Sequence, residues 1–203
     1  MKGQQRSLDA EIMLRETEKY SWMAEMRRKM AEEGINIPEH QVVEQQQVEL
    51  NLKQDDLVAY IKKICHDFKA PDNLSYKLSI VAAVDQLEVL FDAEALKQAL
   101  YILFTNSVKF ASSESRISVG IARMANGDAQ LQIADNGIGV PEQVRETLFE
   151  PMMEGEGIGL DKVKAVIEAH HGTIRMEDNP GGGSIFFITL PTGDIVEEAE
   201  VIE

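Results

Sequence analysis

The sequence predicts an α+β fold: a two-layer sandwich of one mixed, largely antiparallel sheet with helices on one face, behind an N-terminal helical segment. Three observations carry this. Apolar spacing near the start is helical and becomes alternating after about residue 48. Two short alternating runs flank Asn126-Gly127, a pair suited to a tight hairpin turn. Helical runs at 55–68 and 92–111 are interleaved with further strand-like runs.

In chain order, residues 7–33 read as a long helix capped by Ser7 or Asp9 and ended by Gly34 and Ile37-Pro38. Ile12, Tyr20, Met23, Met26 and Met30 share one face, and the remainder is charged in both signs. Such a helix wants a partner, either a second copy or another protein. "PEHQVVEQQQVE" (38–49) is polar and reads as a linker, so residues 1–49 form the first unit. A strand is expected at Val48–Leu52 and a helix at 55–68, with Leu57, Ile61, Ile64 and Phe68 on one side. Tyr76–Val84 reads as a strand, and Asp92 can cap a helix running to about Ala111. "RISVGIARM" and "AQLQIAD" make the hairpin, 142–149 a short helix and 160–170 a longer one. "GTIRMED" and "GSIFFITLP" pair around "NPGGG", and 192–203 is an acidic tail.

Composition limits function. Residues 1–40 hold 7 Lys/Arg against 8 Asp/Glu, leaving 13 against 27 in the remainder of a chain with net charge −15. That surface repels phosphate backbones, so nucleic acid is not the expected partner. Cys65 is the one cysteine, which excludes an internal disulfide and a cysteine-based zinc site. No apolar run is long enough to span a bilayer, and the N-terminus lacks an apolar signal core, so a cytoplasmic location is expected.

Chemistry concentrates in five blocks. "NSVKF" (106–110) lies on the second helix. "DNGIGV" (135–140) follows a strand and gives up side chains at Gly137 and Gly139. "LFEP" (148–151) precedes "GEGIGL" (155–160), which opens a helix, and "PGGGSIFFITLP" closes the series. Their order over roughly residues 50–191 resembles the ATP-binding domain of sensor histidine kinases, within the Bergerat ATPase superfamily. "LFDAEALKQAL" resembles that family's run-in to the Asn-bearing helix, and "EAHHGTI" the stretch after the second glycine block.

The resemblance implies a Bergerat ATP-binding fold and assigns roles. Asp135 accepts the adenine amino proton. Gly137 and Gly139 let backbone pass close to the purine. Asn106 offers a neutral oxygen to Mg²⁺, which takes few protein ligands. Lys109, three residues on, reaches a phosphate, and Phe110 stacks near the base. Gly157, Gly159 and Leu160 present free N–H groups to the triphosphate. The implied activity is transfer of the ATP γ-phosphate to a histidine in a two-component system. The partner is a response regulator or a histidine-containing protein, or a second copy through the N-terminal helix.

The chain departs from that pattern in four places. Only "MMEGE" (152–156) separates Pro151 from Gly157, too short for a lid and without a basic residue for the γ-phosphate. Ile102, one turn before Asn106, stands where gyrase-like, chaperone-like and anti-sigma kinase branches carry a Glu general base and histidine kinases commonly carry Asn. An Ile takes no proton, which disfavours autonomous hydrolysis and serine phosphorylation. His171 stands where the family often has Gly. Finally, residues 1–39 contain no histidine. "CHDFKAP" (65–71) resembles the phosphoacceptor motif through His66 and Asp67, yet it falls in the helix the ATP domain needs as its first. The competing reading of His66 is a surface histidine near a helix end. His40 has a weaker claim, and His170 fits the family's structural histidine. Two rival functions stay open: a kinase-like module that binds and regulates without catalysis, and an anti-sigma-type serine kinase.

Overall fold

The computed structural model describes residues 50–70, 74–111, 114–150 and 159–193. The helix expected at 7–33, the linker, Pro151, Gly157 and the tail beyond Gly193 lie outside the described residues. Strand β1 (Lys53–Asp56) leads into helix α1 (Leu57–Asp67), whose N-cap Asp56 accepts the Val58 N–H at 3.0 Å. Strands β2 (Tyr76–Ala82) and β3 (Glu88–Phe91) precede α2 (Ala93–Lys109), and β4 (Ser115–Arg123) and β5 (Ala129–Asp135) form the hairpin about Gly127. Then come α3 (Glu142–Arg145), α4 (Leu160–Ala169), β6 (Thr173–Asp178) and β7 (Ser184–Leu190).

Five strands make one sheet in the order β2-β4-β5-β7-β6, parallel between β2 and β4 and antiparallel elsewhere, and β1 pairs with β3 in a separate ribbon. The expected α+β sandwich is the observed one. Leu96, Leu100, Leu103 and Phe104 of α2, Val163 and Ile167 of α4 and the Leu57–Cys65 face of α1 bury against Ile117, Val119, Ile121, Leu131, Ile133 and Ile188 of the sheet. Each such side chain contributes about 1.5–3 kcal/mol of burial. Phe68 meets Tyr76, Tyr101 and Phe104 edge-on, with ring centroids 5.3–5.4 Å apart.

Three boundaries differ from the sequence reading. The first strand is Lys53–Asp56, while residues 50–52 lie outside any strand. "KQDD" has no alternation, and it is extended because β3 supplies its ladder, Lys53 opposite Phe91. β3 itself was hidden in the run-in to α2. α3 stops at Arg145, after which residues 146–149 turn. Among the described residues no helix is long and apolar enough to cross a membrane.

Candidate nucleotide site

Alternation places Asp135 on the core face. Ala129, Leu131, Ile133 and Asp135 are the buried residues of β5, and on neighbouring β7 they are Ser184, Phe186, Ile188 and Leu190. The last inward position of β5 is therefore a carboxylate, 7% exposed, beside the first inward position of β7. Its Oδ1 accepts the Gly137 N–H at 2.8 Å and the Ser184 N–H at 3.1 Å. Its backbone carbonyl accepts Asn179 Nδ2–H at 2.7 Å. Burial pushes the carboxyl above the usual carboxylate range, and those two N–H groups with the Ser107 hydroxyl draw part of the shift back.

Two glycines permit this geometry. A Cβ on Gly137 would lie 2.9 Å from Asp135 Oδ1 and 3.0 Å from the Phe110 carbonyl, where an isolated bridge joins Ala111 to Gly137. A Cβ on Gly183 (φ +92°) would lie 2.3 Å from the Asp135 carbonyl and 2.5 Å from its Oδ1. Gly137 is thus small to admit the end of α2, a reason beyond the approach to a purine that sequence reading gave it.

Asn106, Ser107, Phe110, Asp135, Gly137, Ile138, Gly139, Val140, Leu160, Ser184 and Phe186 line one cleft that is open to solvent. Of the residues singled out in the sequence, Asn106, Phe110, Asp135, Gly137, Gly139 and Leu160 meet there. Gly159 stands next to it as the N-cap of α4, left-handed at φ +79°, pressed on Ile102, whose Cγ2 is 3.1 Å from where a Cβ would sit. Lys109 is 7% exposed in the last turn of α2 and is not among the lining side chains. His66 is exposed near the end of α1. Among the described residues no group of three or more His, Cys, Asp and Glu could hold a metal; Asn106 is among the residues lining the cleft and carries a neutral side-chain oxygen.

Sequence reading missed Ser107, Ser184, Asn179, Gly183 and Arg145. Period two counted back from Leu190 through Ile188 and Phe186 lands on Ser184, a signal available in the chain. Nothing local marks Arg145, whose Nε and Nη2 both donate to the Val140 carbonyl at 3.1 Å while Nη2 also donates to Asp178 at 2.7 and 2.8 Å.

His170 is 1% exposed and bridges α4 to α2: it accepts the Asp92 N–H at Nε2, and Nδ1–H faces the Val166 carbonyl. His171 has φ +56°, and the N–H groups of His171 and Gly172 donate to the carbonyls of Glu168 and Ile167, both at 2.9 Å. This is a left-handed helix terminus of the kind glycine fills without strain, which accounts for the family's usual residue there.

Comparison with known proteins agrees with this fold. Residues 91–194 match the family described as histidine kinase-, DNA gyrase B-, and HSP90-like ATPase. The adaptive-response sensory kinase SasA of Synechocystis sp. is 33% identical over 115 residues, 53% of this chain and 30% of that protein. The sensor histidine kinase TmoS of Ectopseudomonas mendocina is 29% identical over 159 residues, 72% of this chain and 16% of its own length. The chain thus spans under a third of either relative. The solved catalytic domain of histidine kinase ThkA has the same fold, with TM-score 0.62 at 20% identity, covering 70% of this chain and 97% of that one.

Proposed function

The chain belongs to the histidine kinase-, DNA gyrase B- and HSP90-like ATPase family, and from that premise we propose that residues 50–191 bind Mg·ATP and donate its γ-phosphate to a histidine in a two-component system. The observation that carries this reading is the buried Asp135 carboxylate, set between the Asn106 helix and a turn with glycines at 137 and 139. With Oδ1 committed to two backbone N–H groups, Oδ2 is the oxygen for the adenine amino group. Phe110 and Ile138 flank the base, Asn106 supplies one oxygen to Mg²⁺, and Leu160 brings the first turn of α4 to the phosphates. Lys109, Gly157 and Gly159 keep the phosphate roles that the family pattern gives them.

The chemistry asks little of the protein beyond position and electrostatics. The lone pair of a neutral imidazole nitrogen bonds to the γ-phosphorus as the bond to the β,γ-bridging oxygen breaks. ADP leaves with that electron pair, and the ring sheds its other N–H proton to solvent. The acceptor is a histidine on a partner or a second copy, with His66 the candidate within this chain. Residues 1–49 would dimerise or dock that partner, in the cytoplasm, and a response regulator would take the phosphoryl group onward. ThkA, whose fold this chain shares, has been solved in complex with response regulator protein TrrA.

One observation favours a second reading. Ile102, packed on Gly159, offers no polar atom beside the start of α4, which suits a module that binds nucleotide and regulates without catalysis. Calorimetry with Mg·ATP on wild type and Asp135→Asn, followed by γ-labelled ATP and mapping of the labelled residue, separates the two. Label that survives alkali and is lost in acid supports histidine transfer, and the reverse stability indicates serine. ATP bound without any label supports the regulatory module, and no binding by the wild type removes both.

A further inference from the structure

Arg145 stands outside every block that the family pattern supplies, yet it joins two backbone segments that meet at Asp135, one of which lines the cleft. The first is the turn from Asn136 to Val140 after β5, and the second is the turn from Asn179 to Gly183 between β6 and β7. On the inner side the turns are tied through Asp135, which takes N–H groups from Gly137 and Ser184 on Oδ1 and the Asn179 amide on its carbonyl. On the outer side the Arg145 guanidinium reaches the Val140 carbonyl with Nε and Nη2 and the Asp178 carboxylate with Nη2. Asp178 and Asn179 are adjacent in the chain, so a ring of contacts closes: Asp135 to the 137–140 turn, to Arg145, to Asp178 and back through Asn179. Val140 lines the cleft.

We propose that Arg145 is a positioning residue for nucleotide recognition, setting the spacing of the two turns and so the placement of Asp135 Oδ2. This rests on the ATP-binding reading above. As a bare ion pair the contact would count for little, since Arg145 and Asp178 are 36% and 59% exposed. What matters is the planar fork: one group spans a carbonyl and a carboxylate in fixed geometry, which an ammonium cannot reproduce. The placement also ties the pocket to α3.

The experiment uses the whole chain with Arg145→Met, Arg145→Lys, Asp178→Asn and the Arg145→Met/Asp178→Asn double variant. Affinity for Mg·ATP and for ADP is measured by calorimetry, melting by calorimetric scan, and amide exchange in the nucleotide-free protein. Each single variant should bind both nucleotides about five- to tenfold more weakly, and the double variant no more weakly than the worse single, because the partners act as one unit. Lysine should resemble methionine rather than arginine. Exchange at the Gly137 and Ser184 amides should quicken in Arg145→Met while melting stays within a few degrees of wild type.

Unchanged affinity and exchange would overturn the proposal, as would wild-type behaviour of Arg145→Lys or losses that follow melting. If the wild type binds no nucleotide, the functional reading fails and the proposal with it. If it binds and the variants bind equally well, only the role of Arg145 is lost.

Discussion

The Asp92 N–H donates to Nε2 of His170 across 2.9 Å, so the cap of one core helix hangs from the end of another. Asp92 also accepts the Ala95 N–H on Oδ1 and the Asn51 N–H on Oδ2, at 2.9 and 2.7 Å. Nε2 must be bare to accept, which fixes the proton on Nδ1, where the Val166 carbonyl receives it at 2.7 Å. His170→Phe keeps the volume and removes the acceptor. It should cost about 1–3 kcal/mol in urea unfolding. A variant as stable as wild type would show that water or a shift of β3 replaces the bond.

The next residue should move stability the other way. His171 holds φ +56°, a region that costs a residue with a Cβ about 1–2 kcal/mol. Glycine removes that strain but loosens the unfolded chain. His171→Gly should therefore gain about 0.5–1 kcal/mol net, seen as a rise of a few degrees in melting temperature. His171→Ala keeps the strain and should show no such rise.

Adjacent glycines in the β6–β7 turn give a sharper contrast. Gly182 (φ +94°) has nothing within 4 Å of a built Cβ, so Gly182→Ala should cost only the left-handed strain, about 1–2 kcal/mol, and leave ATP affinity intact. At Gly183 the same atom would strike the Asp135 carbonyl and Oδ1 and the Gly137 nitrogen at 2.3, 2.5 and 2.6 Å. Gly183→Ala should cost about 3 kcal/mol or more and abolish nucleotide binding. Equal effects at the two positions in unfolding and calorimetry would contradict the packing described here.

These contrasts show what the chain discloses and what it hides. The sheet was legible because β4, β5 and β7 alternate cleanly, and one face of each is buried. Asp135 was legible because a strand ending on an acid before two glycines is unusual for a simple turn. β1 was not, since four polar residues become a strand only when β3 arrives, more than thirty residues later. Arg145 was hidden for the same reason: its partners are a carbonyl five residues back and a carboxylate 33 residues on, and neither spacing leaves a local pattern. Gly183 sat in view as part of a hairpin, but its closeness to Asp135 depends on the register of β5 with β7.

pH should separate the two roles of Asp135. Its folded pKa is raised, by burial first. For a raised group the stabilising contribution is fully present below the ordinary carboxylate range and disappears as pH rises through the shifted value. Nucleotide runs opposite, because a protonated carboxyl loses acceptor capacity for the adenine amino group. ATP affinity should weaken on acidification beginning above the ordinary aspartate range. Asp135→Asn should bind ATP at least about tenfold more weakly, remain as stable as wild type at neutral pH, and lose this pH dependence of stability. Equal affinity in wild type and Asp135→Asn across the range would remove Asp135 from base recognition.

The seat of α4 gives the last expectation. Ile102 Cγ2, Cδ1 and Cγ1 lie 3.1, 3.5 and 3.7 Å from where a Cβ on Gly159 would stand, and Gly159 is itself left-handed. Gly159→Ala thus meets strain and crowding together. It should destabilise by about 2 kcal/mol and push the start of α4 away from Asn106, weakening ATP binding. Ile102→Ala alone leaves a partial void and should cost about 2 kcal/mol, the low end for a side chain that is only partly buried. Together the changes should cost at least about 0.5 kcal/mol less than their sum, since the smaller side chain makes room for the new methyl. The φ strain stays, so recovery should be incomplete. Strict additivity in a double-mutant cycle, read by urea unfolding, would mean that Ile102 does not brace the N-terminus of α4.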